Sequence, residues 1–286
     1  MQLQLHKAQA DIFVPDGLTV DAALRRTTHL GIGAHPDDLE FGALHGILEC
    51  FGQQNKWFTG VTCTDGAGSA RVGVYANYSD AEMTKVRFFE QRTAAMIGRY
   101  AAIVQLGYTS REVKDSRDRR LEEDLLSILQ VTRPRIVYIH NPADKHATHV
   151  AVGAAALKAL RRLPTEMLPE KVYGFESWRG LDWLPDDRKA VLNVGGRDNL
   201  LAALMGVYDS QIAGGKCYDS ATFGRLRANA TMFESHSVDK LELASYALDL
   251  TPLVKDRSAD VVAYVVGFID EFRAAVAQEL GKFFRD

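Results

Sequence analysis

"HLGIGAHPDDLEFG" (residues 29–42) decides how this chain is read. Its first part, "HLGIGA" (29–34), is a short run with the composition of a buried β-strand. Within the next six positions stand a histidine, two aspartates and a glutamate: His35, Asp37, Asp38 and Glu40. "LEFGALHGILECF" (39–51) then reads as a helix. In an open parallel α/β sheet, ligands bind beyond the carboxyl ends of the strands. Four ionisable side chains at such an end therefore point to a site.

The same alternation continues outward. "WFTGVTCT" (57–64) reads as strand and the Gly-rich "DGAGSARVG" as loop. A helix follows from Ser79 to about Gly98, with Ser79 and Glu82 at capping-box spacing. Then come strand 101–106, helix 119–131, strand 135–140 and helix 149–162. Strands without polar alternation, separated by helices, predict a parallel sheet covered on both faces. The fold class is α/β, a Rossmann-like three-layer fold with a mostly parallel sheet. Residues 1–286 contain no Pro/Gly/Ser-rich linker long enough to divide domains, so a single domain is expected. Strands at 171–177 and 189–194 and helices near 198–211 and 221–233 follow less regularly. In a last helix over about 259–284, Val261, Val265, Phe268, Phe272, Val276, Leu280 and Phe283 recur at helical steps and predict a packing face.

Three chemistries compete for the first cluster. Helix capping by Asp37 or Asp38 accounts for one acid and leaves the rest unexplained. Gly31-x-Gly33 after a strand resembles a dinucleotide fingerprint, but Pro36 stands at the third glycine, and carboxylates at a helix N-terminus repel a pyrophosphate. The third chemistry is a metal site, because His and Asp are good ligands for a cation such as zinc. "HNPADKHATH" (140–149) supplies a second cluster at another strand end, with His146 and His149 three residues apart. Two clusters at strand ends of one sheet can converge.

On these residues the chain resembles the LmbE-like (PIG-L) family of zinc-dependent N-deacetylases. "AHPDDLEFG", "TDGAGS" and "DKHATH" follow the family's pattern. So does "VRFFEQRTAAMIG", whose Arg87 and Glu90 match the family's R-x-x-E helix, ahead of "VQLGY". "VYDSQIAGG" (207–215) is similar to a later S-Q segment. The core motifs lie within 29–165. The resemblance implies His35, Asp38 and His149 as ligands of Zn2+, with another divalent metal as the alternative. It implies Asp37 as general base and His146 as oxyanion stabiliser, in the neutral or the imidazolium form. Asp144 either orients His146 or makes an Asx turn after Pro142. The implied substrate is a small-molecule N-acetylated sugar or glycoside, and the assembly is left open between monomer and homo-oligomer. Thr148 stands where the family carries an acid, which bears on how the histidines are tuned.

Other residues read more plainly. Glu40 either supports the site from behind or favours the helix dipole. Arg71 either touches substrate or is a solvated loop residue, Arg87 and Glu90 read as an i,i+3 pair, and His45 as structural. Trp178 and Trp183 in "FESWRGLDW" either stack on a sugar ring or pack in the core. Of the 286 residues, 47% are hydrophobic and 25% charged, with a formal net charge of −3. That composition provides a large core and no electrostatic case for nucleic acid. Cys50, Cys63 and Cys217 lack CxxC spacing, which fits free thiols in a reducing compartment. No apolar run reaches the length of a membrane span, and no signal peptide is recognised, so a cytoplasmic location is expected. A metal-dependent hydrolase of esters or phosphate esters, and a binding protein without turnover, stay open beside the deacetylase.

Overall fold

A computed structural model describes residues 3–284. Eight strands form one sheet: β1 (Asp11–Phe13), β2 (His29–Gly33), β3 (Phe58–Thr64), β4 (Ala102–Tyr108), β5 (Ile136–His140), β6 (Lys171–Phe175), β7 (Lys189–Asn193) and β8 (Ala244–Asp249). The helices in chain order begin with α1 (Val20–Arg25), α2 (Asp38–Gly42), α3 (Leu44–Cys50), α4 (Asp80–Ile97), α5 (Ser110–Lys114) and α6 (Arg120–Thr132). They continue with α7 (Ala147–Arg161), α8 (Asp198–Gly206), α9 (Asp209–Ile212), α10 (Tyr218–Thr231), α11 (Thr251–Lys255) and α12 (Val261–Gly281).

The strand order is β1-β4-β3-β2-β5-β6-β8-β7. Strands β2 to β6 are parallel to their neighbours among themselves, while β1, β7 and β8 pair antiparallel at the two margins. From β2 the chain builds outward through β3 to β4, then returns to place β5 on the other side of β2. That reversal makes the β2/β5 boundary a topological switch point, where ligand crevices open in such sheets. Both acidic and histidine-rich segments leave the sheet there.

Alternate side chains of the strands feed two apolar layers. Leu30 and Ile32 of β2 join Leu125, Val152 and Leu160 on one face. Leu39, Leu44, Phe58, Tyr100 and Leu204 cover the other. The glycines of β2 serve this packing and not a nucleotide: a Cβ on Gly31 would stand 2.7 Å from the Phe58 ring and 2.9 Å from the Leu39 side chain.

The expected helix over 39–51 is broken at Ala43 into α2 and α3, which turns Gly42 against the Phe175 ring. The helix from Ser79 carries its full capping box with Glu82. Two marginal strands were not expected, the three-residue β1 and the antiparallel β8. The packing face expected along the last helix is only partly used: Val265 is buried and Val261 and Phe268 touch the core, while Phe272, Val276, Leu280 and Phe283 are exposed. No helix among the described residues is long and apolar enough to cross a membrane, and all three cysteines are free.

Candidate active site

The loop after β2 carries His35 and Pro36 to Asp37, whose backbone has φ 99°. That left-handed conformation is uncommon for a residue with a side chain and is held only where its surroundings enforce it. Two groups do so. The Asp37 N–H donates to Gln91 Oε1 at 3.2 Å, and Arg87 donates to the Asp37 carboxylate at 3.0 Å and to the Pro36 carbonyl. Asp37 occupies the N-cap position of α2, yet its side chain makes no capping bond. The carboxylate is thereby left to another task.

Asp38, one residue on, turns into the crevice, where its carboxylate meets the rings of His35 and His149. His35 Nδ1 lies 3.3 Å from Asp38 Oδ2, His149 Nε2 lies 3.5 Å from Asp38 Oδ1, and the two ring nitrogens are 3.2 Å apart. Donors around a tetrahedral zinc with bonds of roughly 2.0–2.1 Å are spaced about 3.3 Å apart. The donor set and its spacing therefore fit such an ion. Among the described residues two sets of three have ligand atoms close enough to share one ion, His35 with His146 and His149, and Asp38 with His140 and His149; the expected trio is divided between them and joined by His149. His140 Nε2, however, accepts the Ala34 N–H at 2.9 Å, so its lone pair is already engaged.

His140, the last residue of β5, carries no role in the sequence reading. It is fully buried, stacks on His149 with ring centroids 4.0 Å apart, and braces the backbone just ahead of His35. Burial, then His149, push its pKa down to about 4. A histidine ending an otherwise apolar strand was the available signal.

Asp144 does not orient the His146 ring. One oxygen accepts the His146 backbone N–H at 2.8 Å, an Asx turn, and the other faces His149 Nδ1 at 3.3 Å. It thus stands behind the ring whose Nε2 faces His35, a placement from which carboxylates support metal-binding histidines. Asp144 so provides a carboxylate where Thr148 has none. Thr148 is buried and gives its backbone N–H to His146 Nδ1 at 3.2 Å. With Nδ1 accepting, the proton of neutral His146 sits on Nε2. Burial, His149 and His35 all lower the His146 pKa, and the ring keeps Nε2 free to donate.

Burial raises the Asp37 pKa, and Arg87 opposes that rise without cancelling it. For Asp38 burial is outweighed by His149 and His140, which hold it well below the usual carboxylate range. The two adjacent acids are pushed apart, one toward proton transfer and one toward permanent charge.

Arg87 does face Glu90, at 3.7 Å, but the pair belongs to a larger network. Glu90 accepts from the Ser210 backbone at 2.7 Å and hydroxyl at 2.6 Å, which ties α4 to the S-Q segment. Glu40, fully buried, accepts from Tyr100 at 2.6 Å, Tyr208 at 2.5 Å and Gln91 at 3.0 Å. It supports the site from behind and does not serve the helix dipole. Because Glu40 takes the Gln91 amide hydrogens, Gln91 must turn its oxygen to Asp37. Arg71 ties its own loop together through Asp80 and the Tyr78 carbonyl. His45 bonds the Tyr138 hydroxyl at 2.8 Å, a structural contact.

A cavity of about 650 Å³ opens over these groups, lined by Trp178, Tyr218 and Phe41 beside the histidines. Trp178 stacks 6.1 Å from His146, whereas Trp183 packs against the core.

A family model described as GlcNAc-PI de-N-acetylase (PIG-L) matches residues 30–160. Residues 30–160, just under half of the chain, thus resemble that family. The matched segment runs from β2 to the end of α7 and holds His35, Asp37, Asp38, Asp144, His146 and His149. The uncharacterized deacetylase YaiS of Escherichia coli (strain K12) is 26% identical over 165 residues, covering 57% of this chain and 81% of that protein. Among solved structures, the N,N'-diacetylchitobiose deacetylase of Pyrococcus horikoshii superposes with a TM-score of 0.62 at 17% identity, over 81% of this chain and 86% of that one. The 4-carboxy-2-hydroxymuconate hydratase GalB of Pseudomonas putida KT2440 does so with 0.59 at 18% identity, over 78% and 95%. A deacetylase and a hydratase on one fold leave the chemistry to be argued from the site of this segment.

Proposed function

We propose that this chain is a metal-dependent N-deacetylase that removes an acetyl group from an amino sugar or glycoside-like molecule. The observation that carries the reading is the approach of the His35 and His149 rings to each other and to the Asp38 carboxylate at 3.2–3.5 Å, with a separate buried carboxylate, Asp37, beside them. His35, Asp38 and His149 would hold the ion, and zinc suits two imidazoles and one carboxylate. Bound there, zinc supplies Lewis-acid polarisation of the amide carbonyl and eases ionisation of the attacking water.

The protein's own groups do the rest. Asp37, fixed by Arg87 and Gln91, takes the proton from the water as it attacks the amide carbon. His146 donates from Nε2 to the oxygen that becomes negative in the tetrahedral adduct. Asp37 returns the proton to the nitrogen as the C–N bond breaks, so acetate and a free amine leave. Trp178 and Tyr218 give the cavity an aromatic wall suited to the apolar face of a sugar ring. A cytoplasmic location fits the three free thiols.

The test is mass-spectrometric detection of acetate from a panel of N-acetylated sugars and glycosides incubated with zinc-loaded protein. Release of acetate with an equal yield of amine supports the reading. Hydrolysis confined to ester or phosphate-ester substrates, or binding without turnover, overturns it.

A further inference from the structure

The loop after β6, residues 176–180, belongs to no helix or strand. Its backbone groups have no ladder to join, so side chains must hold it in place. Trp178 stands in its middle, 38% exposed. The indole lies 6.1 Å from the His146 ring, nearly parallel to it, and meets Tyr218 edge-on at 6.1 Å. Arg225 of α10 donates through Nη1 to the Ser177 carbonyl at 2.6 Å and to the Arg179 carbonyl at 2.8 Å. Those two carbonyls flank Trp178, so one guanidinium closes the chain around the indole. On the other side, the Ser177 N–H adds a longer bond to Asp144 at 3.4 Å, and Arg179 donates to the Ala143 carbonyl at 2.8 Å.

Arg225 is suited to that task by where it sits. Tyr218, Thr222, Arg225 and Asn229 line the cavity and follow at steps of four, three and four, which places them on one side of α10. Further along the helix, the Asn229 amide donates to the Ala244 carbonyl at 3.1 Å, and its backbone carbonyl accepts from the Tyr246 hydroxyl at 2.6 Å. Helix α10 is thereby anchored on β8 and offers the loop a fixed point. Among the described residues the Arg225 guanidinium bonds carbonyls and no carboxylate. A bond from a charged donor is roughly twice as strong as a neutral one, and both go to the residues on either side of Trp178. The indole is thus held beside His146, the donor that meets the acetamide oxygen in the mechanism above. A sugar whose acetamide oxygen reaches His146 brings its ring within range of that indole.

We propose that Arg225 is a positioning residue for substrate: it holds the Trp178 indole where the apolar face of an N-acetylated sugar ring stacks on it. The proposal rests on the sugar-binding half of the deacetylase reading and not on its chemistry. Loosening the loop weakens a contact made equally in the ground and transition states, so binding and chemistry should separate. Arg225→Ala should raise KM for N-acetylglucosamine by about tenfold, with kcat changed far less. Arg225→Lys, whose ammonium can still meet carbonyl oxygens, should recover most of that loss. Because Arg225 acts through Trp178, adding Arg225→Ala to Trp178→Ala should cause no further loss, the mark of two coupled residues. A second measurement needs no turnover. In a Trp57→Phe, Trp183→Phe background Trp178 is the one remaining tryptophan of three, and its emission reports titration with N-acetylglucosamine and its methyl glycoside. Arg225→Ala should weaken that binding about tenfold as well and leave the indole more open to acrylamide quenching. Binding without acetate release would support the proposal and remove deacetylation instead. An unchanged KM and unchanged sugar affinity in Arg225→Ala, additive losses in the double variant, or Trp178 emission that no sugar alters overturns the proposal.

Discussion

At the scale of single residues, the site depends on two adjacent aspartates with different surroundings. Asp38 faces three imidazoles, and Asp37 faces Arg87 and Gln91. Asp37→Asn keeps the shape of the side chain and removes its ability to take a proton. Turnover is expected to fall by about two to four orders of magnitude, the usual range for a lost general base. KM should change much less, because the missing interaction belongs to the transition state, and metal content should be unchanged. Near-normal turnover with metal retained would remove Asp37 from the mechanism. Loss of metal would make it a ligand. The pattern AHPDD-x-E made both aspartates and His35 visible in the sequence, and "DKHATH" did the same for His149. The contacts that fix them were not visible. Arg87 and Gln91 lie some fifty residues away, and nothing in "VRFFEQ" says which strand end the helix will cover. His140 was hidden for another reason: one histidine closing an apolar strand looks like the strand's own boundary.

At the scale of elements, catalytic geometry is set by how closely helices approach strand ends. Gly153 of α7 lies against β5, and a Cβ there would stand 2.6 Å from the His140 carbonyl oxygen. That neighbour is backbone and cannot swing aside. Gly153→Ala should therefore push α7 outward and carry His149 away from Asp38. Calorimetry and metal titration on this variant should show a lower Tm and weaker metal binding. An unchanged affinity would mean that α7 does not set the position of His149. Strand β2 bears on stability directly. Burial, aided by Lys56, pushes the His29 pKa down to about 4, against about 6.5 in an unfolded chain. The fold prefers the neutral ring, so its contribution is complete above about pH 6.5 and is lost as the pH falls through about 4. At about 1.4 kcal/mol per pKa unit, the loss from this group is on the order of 3 kcal/mol. Denaturant unfolding of His29→Asn and the parent at pH 7.5 and 4.5 should show a smaller pH effect in the variant. Equal pH effects would assign the loss elsewhere. The central strands were legible because both of their faces are apolar. Strands β1 and β8 were not: β1 has three residues, and β8 pairs antiparallel late in the chain, where "ASYALD" offers neither strict alternation nor a continuous apolar run.

At the scale of the whole molecule, the order of strands brings the two halves of the site together. Residues 35–38 and 144–149 are more than a hundred positions apart, yet β2 and β5 pair side by side from His29↔Ile136 onward. The alternation of strand and helix made the three-layer class readable in advance. That the later part of α12 would stay exposed was not readable, because a stripe of apolar residues at helical steps looks the same whether or not it packs on the core. The account's central claim is that one divalent ion, held between these two strand ends, enables removal of an acetyl group. Its most direct test is a titration of zinc into metal-free protein, with bound metal and released acetate measured on the same samples. The account predicts that acetate release from an N-acetylated sugar is negligible without metal. It should rise with occupancy and level off at about one ion per chain, and His149→Ala should show neither tight binding nor release. Acetate release that does not depend on metal, or full metal binding and activity in His149→Ala, would contradict it.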